Sequence, residues 1–369
     1  MIVLKESFPN FLRSMRMEIQ IKPQPLKSLL HGWYTSDPVY EFSMKATDPR
    51  DLVFALINLS SDAGELGIVP DYTKTPQEVF IDAAKALLRP GDLSLLLSSQ
   101  FPKCLSGLPS WVPDWSSHLI YGVQDSSQDP GIKLSTDDLM LKYQVADNDF
   151  RSFSASGDMV APIAIQCVSD GSVVLSVKGI IIDTVSDTAS MWQICGSTFL
   201  RFLDWIDEIT DLLEHAEKNV YGSAEGLKDA VWRTTITDWE CLPSREYCRV
   251  RQSYLQLAQD KVDKLLYGDK ISESQEEDYS IGIHNYLVSL NTLAIGRRPF
   301  VTNQRYVGQG TPLIQVGDIV AVLIGSKAPF IVRIDEENHY QLVGEAYVHG
   351  IIDGEAIRSK FDIVNIDLY

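Results

Sequence analysis

From Pro299 to the C-terminus the chain breaks into short runs rich in β-branched and aromatic residues, FVTN, QRYVG, DIVAVLIG, PFIVRI and YQLVGEAYV, separated by Gly, Pro, Asp and Asn. No other feature restricts the fold as strongly, because strands this short are stable only when several share one sheet. The glycines scattered among them suit turns and bulges, which bend a sheet. A small curved β-sheet or barrel over residues 299–369 is therefore expected.

Upstream the period changes from two to that of a helix. In ATDPRDLVFAL, Asp48 suits an N-cap, Pro49 the first helical position and Asp51 the positive end of the dipole, so capping explains all but Arg50. Thr75-Pro76-Gln77-Glu78 is a capping box before Val79, Phe80, Ala83, Ala84, Leu87 and Leu88 at helical spacing. LPSWVPDWS, residues 108–116, is barred from a regular helix by its prolines. The polar stretch 124–156 reads as a mobile loop, and Asp170-Gly171 between β-branched runs reads as a hairpin. TFLRFLDWIDEITDLLEHAEK, GLKDAVWRTTI, YCRVRQSYLQLAQDKVDKLLYG and 281–294 read as helices, and acidic 269–280 as a linker. The expected fold class is α+β, a helical body with a β-hairpin and the C-terminal β module. Its divisions are a mainly helical segment 1–120, a hairpin plus helical body 121–298 and the module 299–369.

At 369 residues the chain suits two packed units or one large unit with an appendage, and 45% hydrophobic content is ample for a core. A formal charge of -18 argues against nucleic acid, whose phosphates need clustered Lys and Arg. Five cysteines without a C-x-x-C pair suggest neither a disulfide framework nor a zinc knuckle. No apolar run approaches the roughly 18 residues of a membrane span, and the first residues develop no signal-peptide core. A cytoplasmic location is the expectation.

Candidate chemistry is sparse. YVHGIIDGE gathers Glu345, His349, Asp353 and Glu355 within eleven residues. On a helix, Glu345, His349 and Asp353 would align; Tyr347-Val348 and Gly350 favour a strand entering a turn, which scatters them. Arg50, Trp111 and Trp115 are the candidate ligand-binding residues, with core cover as the alternative for the tryptophans. No metal set, no G-x-S-x-G and no Walker A occurs, and Gly308-Gln309-Gly310 lacks the third glycine of a dinucleotide site. No cofactor or metal is expected.

Four stretches, ATDPRDLVFAL with GIVPDYTKTPQEVF, LPSWVPDWS, DAVWRTTITD and GDIVAVLIGSKAPFIVRIDEENHYQLVGEAYVHGIIDGEAI, resemble in content and order the fungal heterokaryon incompatibility (HET) domain proteins. The family's opening L-S-Y-x-W-G and I-D-x-x-C-I-N-Q segments do not occur, so the chain is expected to correspond to the region downstream of the HET core. The resemblance implies self/non-self recognition and programmed cell death. It suggests a non-catalytic scaffold or regulatory region with a protein partner or self-association, or alternatively an NAD-cleaving or other hydrolytic effector. A partner packed on the first helices would leave an apolar patch there larger than a few hundred Å².

Overall fold

The computed structural model describes residues 24–34, 46–117, 153–169, 171–193, 198–214, 220–241, 247–267, 283, 285–291, 293–359 and 361–369. The first layer is helical: α1 (Leu26–Tyr34), α2 (Asp51–Ile57), α3 (Ala63–Leu66) and α4 (Pro76–Leu87), followed by a 3-10 turn at Ser94–Ser98. The Thr75 hydroxyl accepts from Glu78 N at 3.2 Å while Glu78 Oε2 accepts from Thr75 N at 2.7 Å, so the capping box forms as expected. The α2 entrance differs by a few residues from expectation. Asp51 N bonds Asp48 O at 3.0 Å in a tight turn, and the regular helix begins only at Asp51.

A hairpin of β1 (Ala164–Cys167) and β2 (Val173–Thr188) follows, with Cys167 paired to Val173 and Gly171 at φ 91°. Then come α5 (Thr198–Glu214), α6 (Ala224–Thr235), the two-stranded pair β3 (Trp239–Cys241) and β4 (Tyr247–Arg249), and α7 (Gln252–Tyr267). YCRVR is thus a strand and its exit rather than the start of the helix: pairing with β3 claims those backbone groups. The described part of 281–294 is helical at 283, 285–291 and 293, and 269–280 lies outside the described residues.

The last strands are β5 (Arg298–Thr302), β6 (Val307–Gly310), β7 (Ile319–Leu323), β8 (Phe330–Ile334), β9 (Tyr340–Val348) and, after α8 (Glu355–Arg358), β10 (Ile363–Leu368). They do not make a small sheet by themselves. Together with β1 and β2 they form one eight-stranded sheet, and β2 pairs with β1, β5, β7 and β10. The pairings β2–β5–β6–β9–β8–β7 return to β2, so the ladder closes into a ring. Its length lets β2 serve β10 at 175–180, β7 at 179–184 and β5 at 185–188, helped by shifts in register near Ile181 and Val185. Gly179 sits where β7 and β10 both flank β2; a Cβ there would lie 2.5 Å from Ile366 Cδ1.

Alternation divides the core. Ile180, Ile182, Val320, Val322, Ile331 and Val343 belong to one apolar cluster, whereas Leu175, Val177, Ala321, Leu323, Phe330 and Leu342 join α1–α4 in another. A third cluster collects α5, α6 and α7 against Val301, Val307 and Tyr347. Phe153, Ala155 and Ser156 are buried, so the end of the expected mobile stretch 124–156 is packed; 118–152 lie outside the described residues. On the first layer only Leu59, Val69 and Tyr72 are exposed large hydrophobics among described residues 46–98, short of a broad patch. Among the described residues no helix is long and apolar enough to cross a membrane.

Candidate functional site

The densest group of charges grows from the end of α6. Ser223 caps its start, accepting from Gly226 N at 3.0 Å. Its end turns through Thr237 (φ 48°) and Asp238 (φ 62°), with Asp238 N bonded to Arg233 O at 2.7 Å. A β-branched residue in the left-handed region is strained. The turn sends the buried Asp238 carboxylate back between two arginines. Arg233 Nη1 donates to Asp238 Oδ1 at 2.6 Å and Arg249 Nε to Asp238 Oδ2 at 2.7 Å. Arg249 then grips both Asp353 oxygens at 2.8 Å, while Arg233 Nε reaches Asp229 at 2.7 Å and Nη2 reaches Gln252 at 2.7 Å.

Acid and base therefore alternate along Asp229, Arg233, Asp238, Arg249 and Asp353, tying α6 and β4 to the turn after β9. Arg249 also lies 4.7 Å above the Phe153 ring. Burial opposes its charge, but the bonds to Asp353 and the charge of Asp238 raise its pKa above the ordinary arginine value. Arg233 behaves alike, burial opposed by Asp229 and Asp238. One rung away, Arg251 Nε donates at 2.5 Å to the buried Glu240. All three nitrogens of Arg233 and of Arg249 are spent within the protein, and so are both Asp238 oxygens. Chemically the cluster is a clamp: both arginine forks are taken up within it, and of its carboxylates each is bonded to an arginine, although Asp229 Oδ1 is buried without a partner.

The four groups of YVHGIIDGE are placed as a strand entering a turn would place them. Glu345 forms a two-pronged buried pair with Arg297, at 2.6 and 2.7 Å. His349 Nδ1 lies 2.9 Å from the Tyr347 hydroxyl, and burial pushes its pKa below the ordinary value against the pull of Asp238. Asp353 belongs to the clamp. Glu355 accepts from Asp353 N at 2.7 Å, closing the turn before α8. The structure thus brings His349 and Asp353 to the clamp and gives Glu345 a different partner.

Arg50 forks onto Asp48, with Nε and Nη2 at 2.9 and 2.6 Å, and its Nη1 donates to Tyr72 O and Lys74 O at 2.7 Å each. The guanidinium holds the Asp48 carboxyl below the usual range. Arg50 shares none of these partners with His349 or Glu355. Trp111 is buried, its Nε1 donating to Val173 O at 3.0 Å, and Trp115 meets Phe80 edge-on at 5.1 Å. Both tryptophans cover the core beneath the LPSWVPDWS loop. Asp114 in that loop accepts from Cys104 N, Leu105 N, Ser116 N and the Ser116 hydroxyl. Among the described residues no three His, Cys, Asp or Glu groups are placed to hold a metal ion.

Sequence reasoning missed Arg233, Asp238, Glu240, Arg249 and Arg251. The ribbon offers no simple charge signal, because Arg249 pairs with Trp239 and Glu240 with Cys248.

Residues 252–361 match the family described as the Het-6 beta-barrel domain. Among curated proteins the chain is similar to heterokaryon incompatibility protein 6, OR allele, of Neurospora crassa, with 27% identity over 381 residues. That match covers 86% of this chain and 51% of the relative, so the chain spans about half the relative's length. No solved structure matches. Both matches agree with the resemblance to fungal HET-domain proteins carried by the sequence motifs.

Proposed function

We propose that this chain is a cytoplasmic, non-catalytic scaffold or regulatory region of a fungal self/non-self recognition protein of the cell-death type. It works by presenting surfaces to a protein partner or a second copy of itself. The observation that supports this reading is the commitment of the candidate groups. Glu345, Asp353 and Glu355 are each bonded to an arginine or a turn amide, and burial lowers the pKa of His349. A general acid or base needs a group free to reach its substrate, and the three carboxylates already serve partners within the protein. The similarity to a heterokaryon incompatibility protein supplies the biological setting.

The test is incubation of the purified chain with NAD and measurement of released nicotinamide. Release no greater than the blank is expected. Sustained turnover that Glu355→Gln abolishes without lowering the melting temperature would replace the scaffold with an NAD-cleaving effector.

A further inference from the structure

Lys103 is the basic side chain that the fold treats differently. Lys27, Lys74 and Lys228 each pair with an aspartate, at 2.5, 2.8 and 3.0 Å. Lys103 instead donates to two neutral acceptors, the Ser99 hydroxyl at 2.7 Å and Val112 O at 2.6 Å. The Ser99 hydroxyl passes its own proton to Ser110 O at 2.7 Å, so it must accept from Lys103. Two acceptors match the two N–H bonds of a neutral amine and leave its lone pair unshared, whereas an ammonium has a third N–H to place. Asp114 is the charged group that faces Lys103, and both of its oxygens are filled by the loop's own donors. Taken as a whole residue, Lys103 is only half-buried.

We infer that Lys103 is a modification site, a nucleophilic amine that accepts acyl groups from small thioesters. Its lone pair attacks the thioester carbonyl carbon, the C–N bond forms, the C–S bond breaks, and the departing sulfur leaves as a thiol with the proton lost from nitrogen. Burial pushes the amine down to about 7, against the opposing pull of Asp114. Near neutrality about half of it is unprotonated, against fewer than roughly one in a thousand for a lysine at its ordinary value. The neighbouring Cys104 does not compete as a thiolate, since burial pushes its thiol up. An acylated nitrogen retains one N–H and cannot serve both Ser99 and Val112. Acylation therefore leaves either the Ser99 hydroxyl or Val112 O of the LPSWVPDWS loop without its donor.

The test uses the whole chain with S-acetyl-N-acetylcysteamine, and peptide mass spectrometry compares Lys103 with Lys74 and Lys228 in one sample. At pH 7 acetylation of Lys103 is expected to exceed theirs at least tenfold, with the ratio falling toward one at pH 10. A ratio of one or less at pH 7 overturns the inference. So does loss of the Lys103 label in Cys104→Ser, which would assign the reaction to the thiol; an unchanged ratio in that variant supports the lysine.

Discussion

The Asp238 clamp and the Lys103 anchor both take basic nitrogens out of water, by opposite means. Arg233 and Arg249 keep their charge because three carboxylates surround them, and arginine does not give up its proton in proteins. Lys103 has only neutral acceptors within bonding distance, so the balance shifts toward losing the proton. The clamp joins elements distant in sequence, from Asp229 to Asp353, and any reactive potential is consumed in doing so. The anchor joins Ser99 to Val112, thirteen positions apart, and leaves a lone pair. Burial of a charged residue type thus marks a mechanical part where counter-charges saturate it and a reactive part where they do not.

The comparison breaks most readily at Asp238. Asp238→Asn preserves tolerance of the left-handed conformation but leaves two arginines short of a counter-charge, so a loss of about 3–5 kcal/mol is expected in urea unfolding. A loss below about 1 kcal/mol would show that the clamp is not held by charge. Lys103→Met removes two hydrogen bonds without stranding any charge, and about 1–2 kcal/mol is expected by the same measurement. A loss as large as that of Asp238→Asn would mean that Lys103 is ionised in the fold. Thr237→Gly relieves a β-branched residue at φ 48° and should stabilise by about 1 kcal/mol, read as a higher melting temperature.

The comparison can also be sharpened through pH dependence. His349 and Lys103 both have folded pKa values below their unfolded ones, so the unfolded chain binds more protons and stability rises with pH through each window. For Lys103 the window runs from about 7 up to the ordinary lysine value near 10.4, and Lys103→Met should flatten stability there. For His349 stability declines as pH falls below its ordinary value of about 6.5, and His349→Gln should flatten that acid side alone.

What the sequence disclosed was local. Thr75 and Glu78 cap a helix with atoms three residues apart, and Gly171 lies between two strands that pair with each other, so both could be recognised in a short window. The runs after Pro299 likewise announced β5 to β9. The ring was not legible, because closure depends on Val320 pairing with Asp183 and Thr302 with Val185, more than a hundred residues away. The YCRVR strand was hidden because the helical pattern after it continues backward through Tyr247 and Val250, and only the partner strand at Trp239 decides against helix. Of the site, Asp353 and His349 were singled out, but Arg249 was not. Its importance comes from its hydrogen bond to an aspartate that a strained turn has redirected.

The long strand β2 carries a practical consequence for anyone dividing this chain. The family match begins at residue 252, beyond the stave that completes the ring. A recombinant fragment cut at that boundary would leave β5 and β7 each with an unpaired flank, the geometry that invites chains to zip together into aggregates. Supplying residues 161–193 in trans should rescue it.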